Sequence, residues 1–299
     1  MLVSESNAKY KLLHDDSVNG VKMQLFSNFD DEIAEVIDRE NVVSLMLSQW
    51  LGWKYEQLDF LSKLTQLKAL YIFDSTIKDI SKVSDLVNLE VLYLECPRLK
   101  IGFNASRLCN LKDVRIDWKP CLKNIAESSS IKVLLLSGFK EESLTDFLPL
   151  NISRLDLIRP SKLKTLDGLE KLSQLNSISL YQCRKLESID AIASLSLSSI
   201  EIEGCKQVKG LSKLLTLSGL ESLVIENCAN IESISGISTL SKLQKLRIAS
   251  TTIMDGDLSE LVGMRISSLF FDRKKSYSHS LEEIRKSTSK EILLRTNNF

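Results

Sequence analysis

Three segments decide the fold: LNSISLYQC (Leu175–Cys183), LSSIEIEGC (Leu197–Cys205) and LESLVIENC (Leu220–Cys228). Their starts lie 22 and 23 residues apart, and all share an LxxLxL frame. The same frame runs back through Ile152, Ile131, Leu111, Leu89, Leu67 and Val42, and forward through Leu243 and Ile266, with every step between 20 and 25 residues. Self-similarity at such a period marks a stack of small coils that share one continuous core, because a single coil cannot bury its own apolar side. Eleven strand units are expected between Val42 and Asp272. In the unit that starts at Leu220, apolar residues fall at positions 1, 4, 6, 12, 15, 18 and 21: Leu220, Leu223, Ile225, Ile231, Ile234, Ile237 and Leu240. The alternating start predicts a short strand and the period-three tail a 3₁₀-like return.

These units resemble the leucine-rich repeat, and the resemblance covers about three-quarters of the chain. It implies an α/β solenoid, a curved stack with a parallel concave sheet of about eleven short strands, capped at both ends. The short return IESISGISTLSKL, which begins at Ile231, is similar to the 22-residue type of bacterial internalins and of some intracellular phosphatase-regulating scaffolds. The family's usual Asn at position 9 is replaced here by Cys183, Cys205 and Cys228, by Ser75 and Thr251, or by Pro97 and Pro160. The resemblance also implies protein binding on the concave face rather than catalysis.

A solenoid needs its ends covered. Tyr10–His14 and Val21–Ser27 read as two strands across the turn DDSVNG. The segment FDDEIAEVIDREN follows as a helix, with Asp30 at its N-cap and Ile33, Val36 and Ile37 on one face. Ser280 with Glu283 reads as a capping box that opens a helix at Leu281. The expected layout is an N-terminal cap over 1–41, repeats over 42–273 and a C-terminal cap or tail over 274–299, in one elongated domain.

With 39 basic and 39 acidic residues the net charge is zero, so no bulk attraction to nucleic acid or to an anionic membrane is expected. No apolar run reaches the length of a membrane span, and the first residues lack the pattern of a secretory signal. The six cysteines form no CxxC pair. Together these features place the chain in a reducing cytoplasm with free thiols, no metal and no cofactor. No phosphate-binding glycine motif or HExxH is present, and the two histidines, His14 and His279, fall in opposite terminal segments. The alternative to a binding module is an enzyme, a hydrolase with a site on the concave face that uses Cys96 or an acidic pair; it lacks a base and a cofactor motif.

Strand alternation turns positions 4 and 6 inward and positions 3, 5 and 7 outward. Tyr71, Phe73, Tyr93 and Trp118 should therefore share the outward face with Asp74, Glu95, Arg115 and Asp117. Farther along, Asp156, Tyr181, Glu201, Glu203 and Glu226 follow. Aromatic rings on a solvent face are the residue types of interface hot spots. Glu203 and Glu226 hold one position on neighbouring strands, but two strands hardly supply the six to eight oxygens calcium takes, so they read as an acidic face that steers a basic partner. The expected partner is another protein with a basic surface, and the expected role is that of a regulatory scaffold or a bacterial immunity or inhibitor protein.

Overall fold

Each LxxLxL segment is a strand whose two inner leucine-like residues are buried, and the observed elements fall on the expected frame. The computed structural model describes residues 9–54 and 57–287. Its first elements are an antiparallel hairpin, β1 (Tyr10–Asp15) and β2 (Gly20–Leu25), and a helix, α1 (Asp31–Arg39). The Asp30 carboxylate accepts the Ile33 amide at 2.9 Å and caps α1, whose Ile33, Val36 and Ile37 are buried. Eleven strands of the repeat frame follow: β3 (Val42–Ser48), β4 (Ala69–Phe73), β5 (Val91–Glu95), β6 (Asp113–Asp117), β7 (Val133–Ser137), β8 (Arg154–Ile158), β9 (Ser177–Tyr181), β10 (Ser199–Glu203), β11 (Ser222–Glu226), β12 (Lys245–Ala249) and β13 (Ser268–Phe271).

The chain divides into two compact units. The first runs to Ser137 and includes Asp146–Ile152; in it β2 pairs in parallel with β3, and β3 to β7 continue in chain order. The second holds Gly138–Thr145 and the chain from Ser153 onward, with β8 to β13 parallel and in chain order. Like positions face like: Ile200 lies beside Leu223, and Leu223 beside Leu246. The return segments carry short 3₁₀ turns such as Leu169–Lys171 and Ile237–Thr239, and Ile231, Ile234, Ile237 and Leu240 are buried. After β13, Ser280 and Glu283 bond reciprocally, the Glu283 carboxylate accepting the Ser280 amide at 2.7 Å, and residues 281–287 are helical.

A one-residue offset separates the turns that leave the strands. In the second unit, position 8 is left-handed at Gly138, Arg159, Gln182, Gly204, Asn227 and Ser250, with φ between +49° and +67°. The residue after it turns inward: Phe139, Pro160, Cys183, Cys205, Cys228 and Thr251 are all buried. In the first unit Asp74, Cys96 and Trp118 at position 8 turn inward themselves, with ordinary φ. Ser75 and Pro97, which hold position 9 of the frame, accordingly follow the inward-turning residue and are themselves not buried.

Candidate binding surface

The outward face of the first unit begins with a small apolar cluster. Ala69, Tyr71 and Val91 are buried in it, and Val18, Met46, Phe73 and Tyr93 pack around them. Val18 comes from the hairpin turn, so the N-terminal hairpin covers part of the face that alternation alone left open. The Tyr71 hydroxyl donates to Asp15 at 3.0 Å and lies 2.9 Å from the Ser17 hydroxyl. Burial and the nearby Asp15 charge push this phenol up to about 12, against a hydrogen bond from Ser17.

Cations already occupy the ring faces. Lys22 Nζ lies 4.1 Å from the Tyr71 centroid, and Arg115 lies 4.5 Å from that of Tyr93. Tyr71 and Tyr93 meet edge-to-face at 4.9 Å. Arg115 is held by two bonds of 3.2 Å to Asp113, which also accepts the Tyr93 hydroxyl at 3.2 Å.

The expected exposure of four residues is corrected. Tyr71 is 5% exposed beneath the hairpin turn. Trp118 is 2% exposed, because position 8 turns inward in this unit, and its ring packs edge-to-face on Phe147 at 5.4 Å. Asp74 is buried for the same reason and accepts the amides of Thr76 (2.6 Å) and Ile77 (3.2 Å), closing the turn after β4. Asp156 is buried against Arg154, whose Nε donates to both carboxylate oxygens at 3.1 Å.

What remains accessible is narrower and more acidic. Phe73 and Tyr93 are half-buried, Glu95 and Arg115 exposed, and Asp117 half-buried. In the second unit Tyr181 and Glu201 are exposed, and Glu203, half-buried, lies beside Tyr181 in register. Among the described residues Glu95, Asp117, Glu201 and Glu203 have no ion-pair partner, whereas Glu226 is paired with Arg247. Trp50, which strand alternation cannot orient because it lies past the end of β3, is 79% exposed. Its sequence signal is Gly52, whose φ of +102° reverses the chain and separates the exposed Trp50 from the buried Trp53.

The cysteines at position 9 sit inward, and their acceptors are strand carbonyls. Each thiol bonds to a carbonyl of the preceding strand: Cys183 to Leu157 at 3.8 Å, Cys205 to Leu180 at 3.6 Å and Cys228 to Ile202 at 3.3 Å. Contact with the Cys183 thiol, together with burial, pushes Cys205 up to about 12, Cys228 offsetting part of the rise; contact with Cys205 and burial raise Cys228 as well. The raised Cys205 and Cys228 thiols stay protonated at neutral pH and are poor nucleophiles. Among the described residues no group of three or more His, Cys, Asp or Glu side chains is placed to hold a metal ion.

Comparison with solved structures tests this architecture. A leucine-rich-repeat protein of Leptospira interrogans superposes with a TM-score of 0.59 at 20% identity, over 76% of this chain and 60% of that one. This chain has the leucine-rich-repeat fold. It spans about 60% of the length of the Leptospira protein. Internalin C2 of Listeria monocytogenes is a weaker leucine-rich-repeat match, with a TM-score of 0.44 at 24% identity over 69% of this chain and 81% of that one. The functional domain of InlJ from the same organism, which includes a cysteine ladder, gives 0.47 at 17% identity over 82% and 62%. No protein-family model matches the leucine-rich-repeat chain, and no curated protein matches it. No helix among its described residues is long and apolar enough to cross a membrane.

Proposed function

We propose that this leucine-rich-repeat chain is a non-enzymatic protein-binding module whose outward strand residues dock a partner with a basic surface. The observation that carries this reading is the set of carboxylates without an ion-pair partner among the described residues, Glu95 and Asp117 in one unit and Glu201 and Glu203 in the other, set beside Phe73, Tyr93 and Tyr181 in a chain of zero net charge. Carboxylates left without internal partners attract a basic surface over a distance of about a Debye length, and adjacent rings supply the apolar contact. Residues 42–273 form the binding array in this reading, with 1–41 and 274–299 as its caps. The setting is cytoplasmic and the role that of a regulatory scaffold or an immunity or inhibitor protein, which acts by masking another protein.

The test is affinity capture from a native extract on the parent chain and on a variant with Glu95→Gln, Asp117→Asn, Glu201→Gln and Glu203→Gln. A protein retained stoichiometrically by the parent, released by salt and lost on the variant supports the reading. Equal retention by both, or none by either, overturns it.

A further inference from the structure

We propose that the rim at the C-terminal ends of β3 to β6 docks an extended protein segment carrying an apolar side chain followed by basic residues. This rests on the protein-binding reading above and names the partner chemistry. Trp50 and Leu51 stand 79% and 40% exposed just past β3. The turn over residues 49–53 is bonded into the fold. The Gly52 amide closes on the Gln49 carbonyl at 3.2 Å, and Trp53 is fully buried on the far side. The Gln49 side-chain oxygen accepts the Ser75 amide at 3.0 Å and the Ser75 hydroxyl at 2.8 Å, tying the loop to the next repeat. An indole of this size left in water on an ordered loop is a large unspent hydrophobic contact.

The same rim changes character within three strands. Ser48, at the end of β3, lies beside Phe73 of β4, and Phe73 beside Glu95 of β5. Asp117 ends β6. Arg115, the nearby cation, is engaged by Asp113 and the Tyr93 ring, and Glu95 and Asp117 have no ion-pair partner among the described residues. The rim thus runs from apolar (Trp50, Leu51, Phe73) to anionic (Glu95, Asp117). Strands spaced about 4.8 Å apart put β3 and β6 about 14 Å from each other, and an extended chain at about 3.3 Å per residue crosses that in roughly four residues. The complementary segment carries its apolar anchor about three to five positions from Lys or Arg.

Panning a library of random peptides, about a dozen residues long, on the full chain tests this directly. Selected peptides should carry an aromatic or aliphatic residue roughly four positions from Lys or Arg. They should bind Trp50→Ser at least about tenfold more weakly. They should also weaken on Glu95→Gln with Asp117→Asn, by a factor that shrinks as salt rises. All three changes are at accessible side chains, and matched thermal melts of parent and variants establish an unchanged fold; should Trp50→Ser melt early, the carboxylate pair alone decides. Basic peptides that ignore the rim variants but are lost on Glu201→Gln with Glu203→Gln overturn the rim and leave the broader reading standing. Acidic consensus peptides, or no enrichment, overturn the rim and the basic-partner reading together.

Discussion

At Asp15 several polar groups converge on one buried carboxylate: the hydroxyls of Ser44 (2.5 Å), Ser17 (2.7 Å) and Tyr71 (3.0 Å), and Lys22 Nζ (3.1 Å). Burial alone would raise this acid; the bonds from Ser44, Ser17 and Lys22 outweigh it and hold it at about 2, against 3.8 for a free side chain. Because the folded-state value is the lower one, the ionised carboxylate stabilises the fold above about pH 4. That contribution, about 2 kcal/mol, is lost as pH falls from about 4 through about 2. Denaturant unfolding at neutral pH and near pH 2 should therefore show Asp15→Asn losing less stability on acidification than the parent does; parallel losses would mean that another group titrates. None of this network was legible in the sequence. Alternation assigned Tyr71 to the correct face of its strand, but it carries no information about which distant element lies over that face, and Asp15, at the end of β1, and Ser17, in the turn after it, fall in a stretch that reads only as a turn.

The strand frame itself was legible, because burial of positions 4 and 6 is a local requirement repeated in every coil. The turn after each strand was not. In the second unit a left-handed residue at position 8 adds one step before the chain turns inward, and only Gly138, Gly204 and Asn227 among its occupants belong to residue types that favour that conformation. Arg159, Gln182 and Ser250 adopt it without any such signal. In the first unit the step is missing, which is why Asp74 and Trp118 are buried turn residues rather than members of the outward face. Trp118→Ala should consequently cost about 3–5 kcal/mol in chemical denaturation, the range for emptying a large aromatic core site. A loss below about 1 kcal/mol would return Trp118 to the surface and restore the original register. The outward set was legible only in part: Glu95, Asp117, Tyr181, Glu201 and Glu203 are accessible, Tyr71, Asp74, Trp118 and Asp156 are buried, and Trp50 escaped because the period ends with the strand.

Stability in a repeat protein is built from each coil and its contacts with its immediate neighbours, so damage to one coil should spread by neighbours rather than everywhere at once. Leu223 is a sharp place to apply this. It is 1% exposed at position 4 of β11, between Ile200 of β10 and Leu246 of β12. Leu223→Asp puts a carboxylate with no counter-charge into that layer, a cost of several kcal/mol even if the acid takes up a proton. That is comparable to the whole net stability of an ordinary domain, about 5–15 kcal/mol, and exceeds what one coil contributes by itself. Native-state hydrogen exchange should show protection collapsing in β10, β11 and β12, while β3 to β6 of the first unit exchange at parental rates. Parental exchange throughout would mean that position 4 is not a core position. Uniform loss across both sets of strands would mean that the chain unfolds as one cooperative body, with the nearest-neighbour description failing.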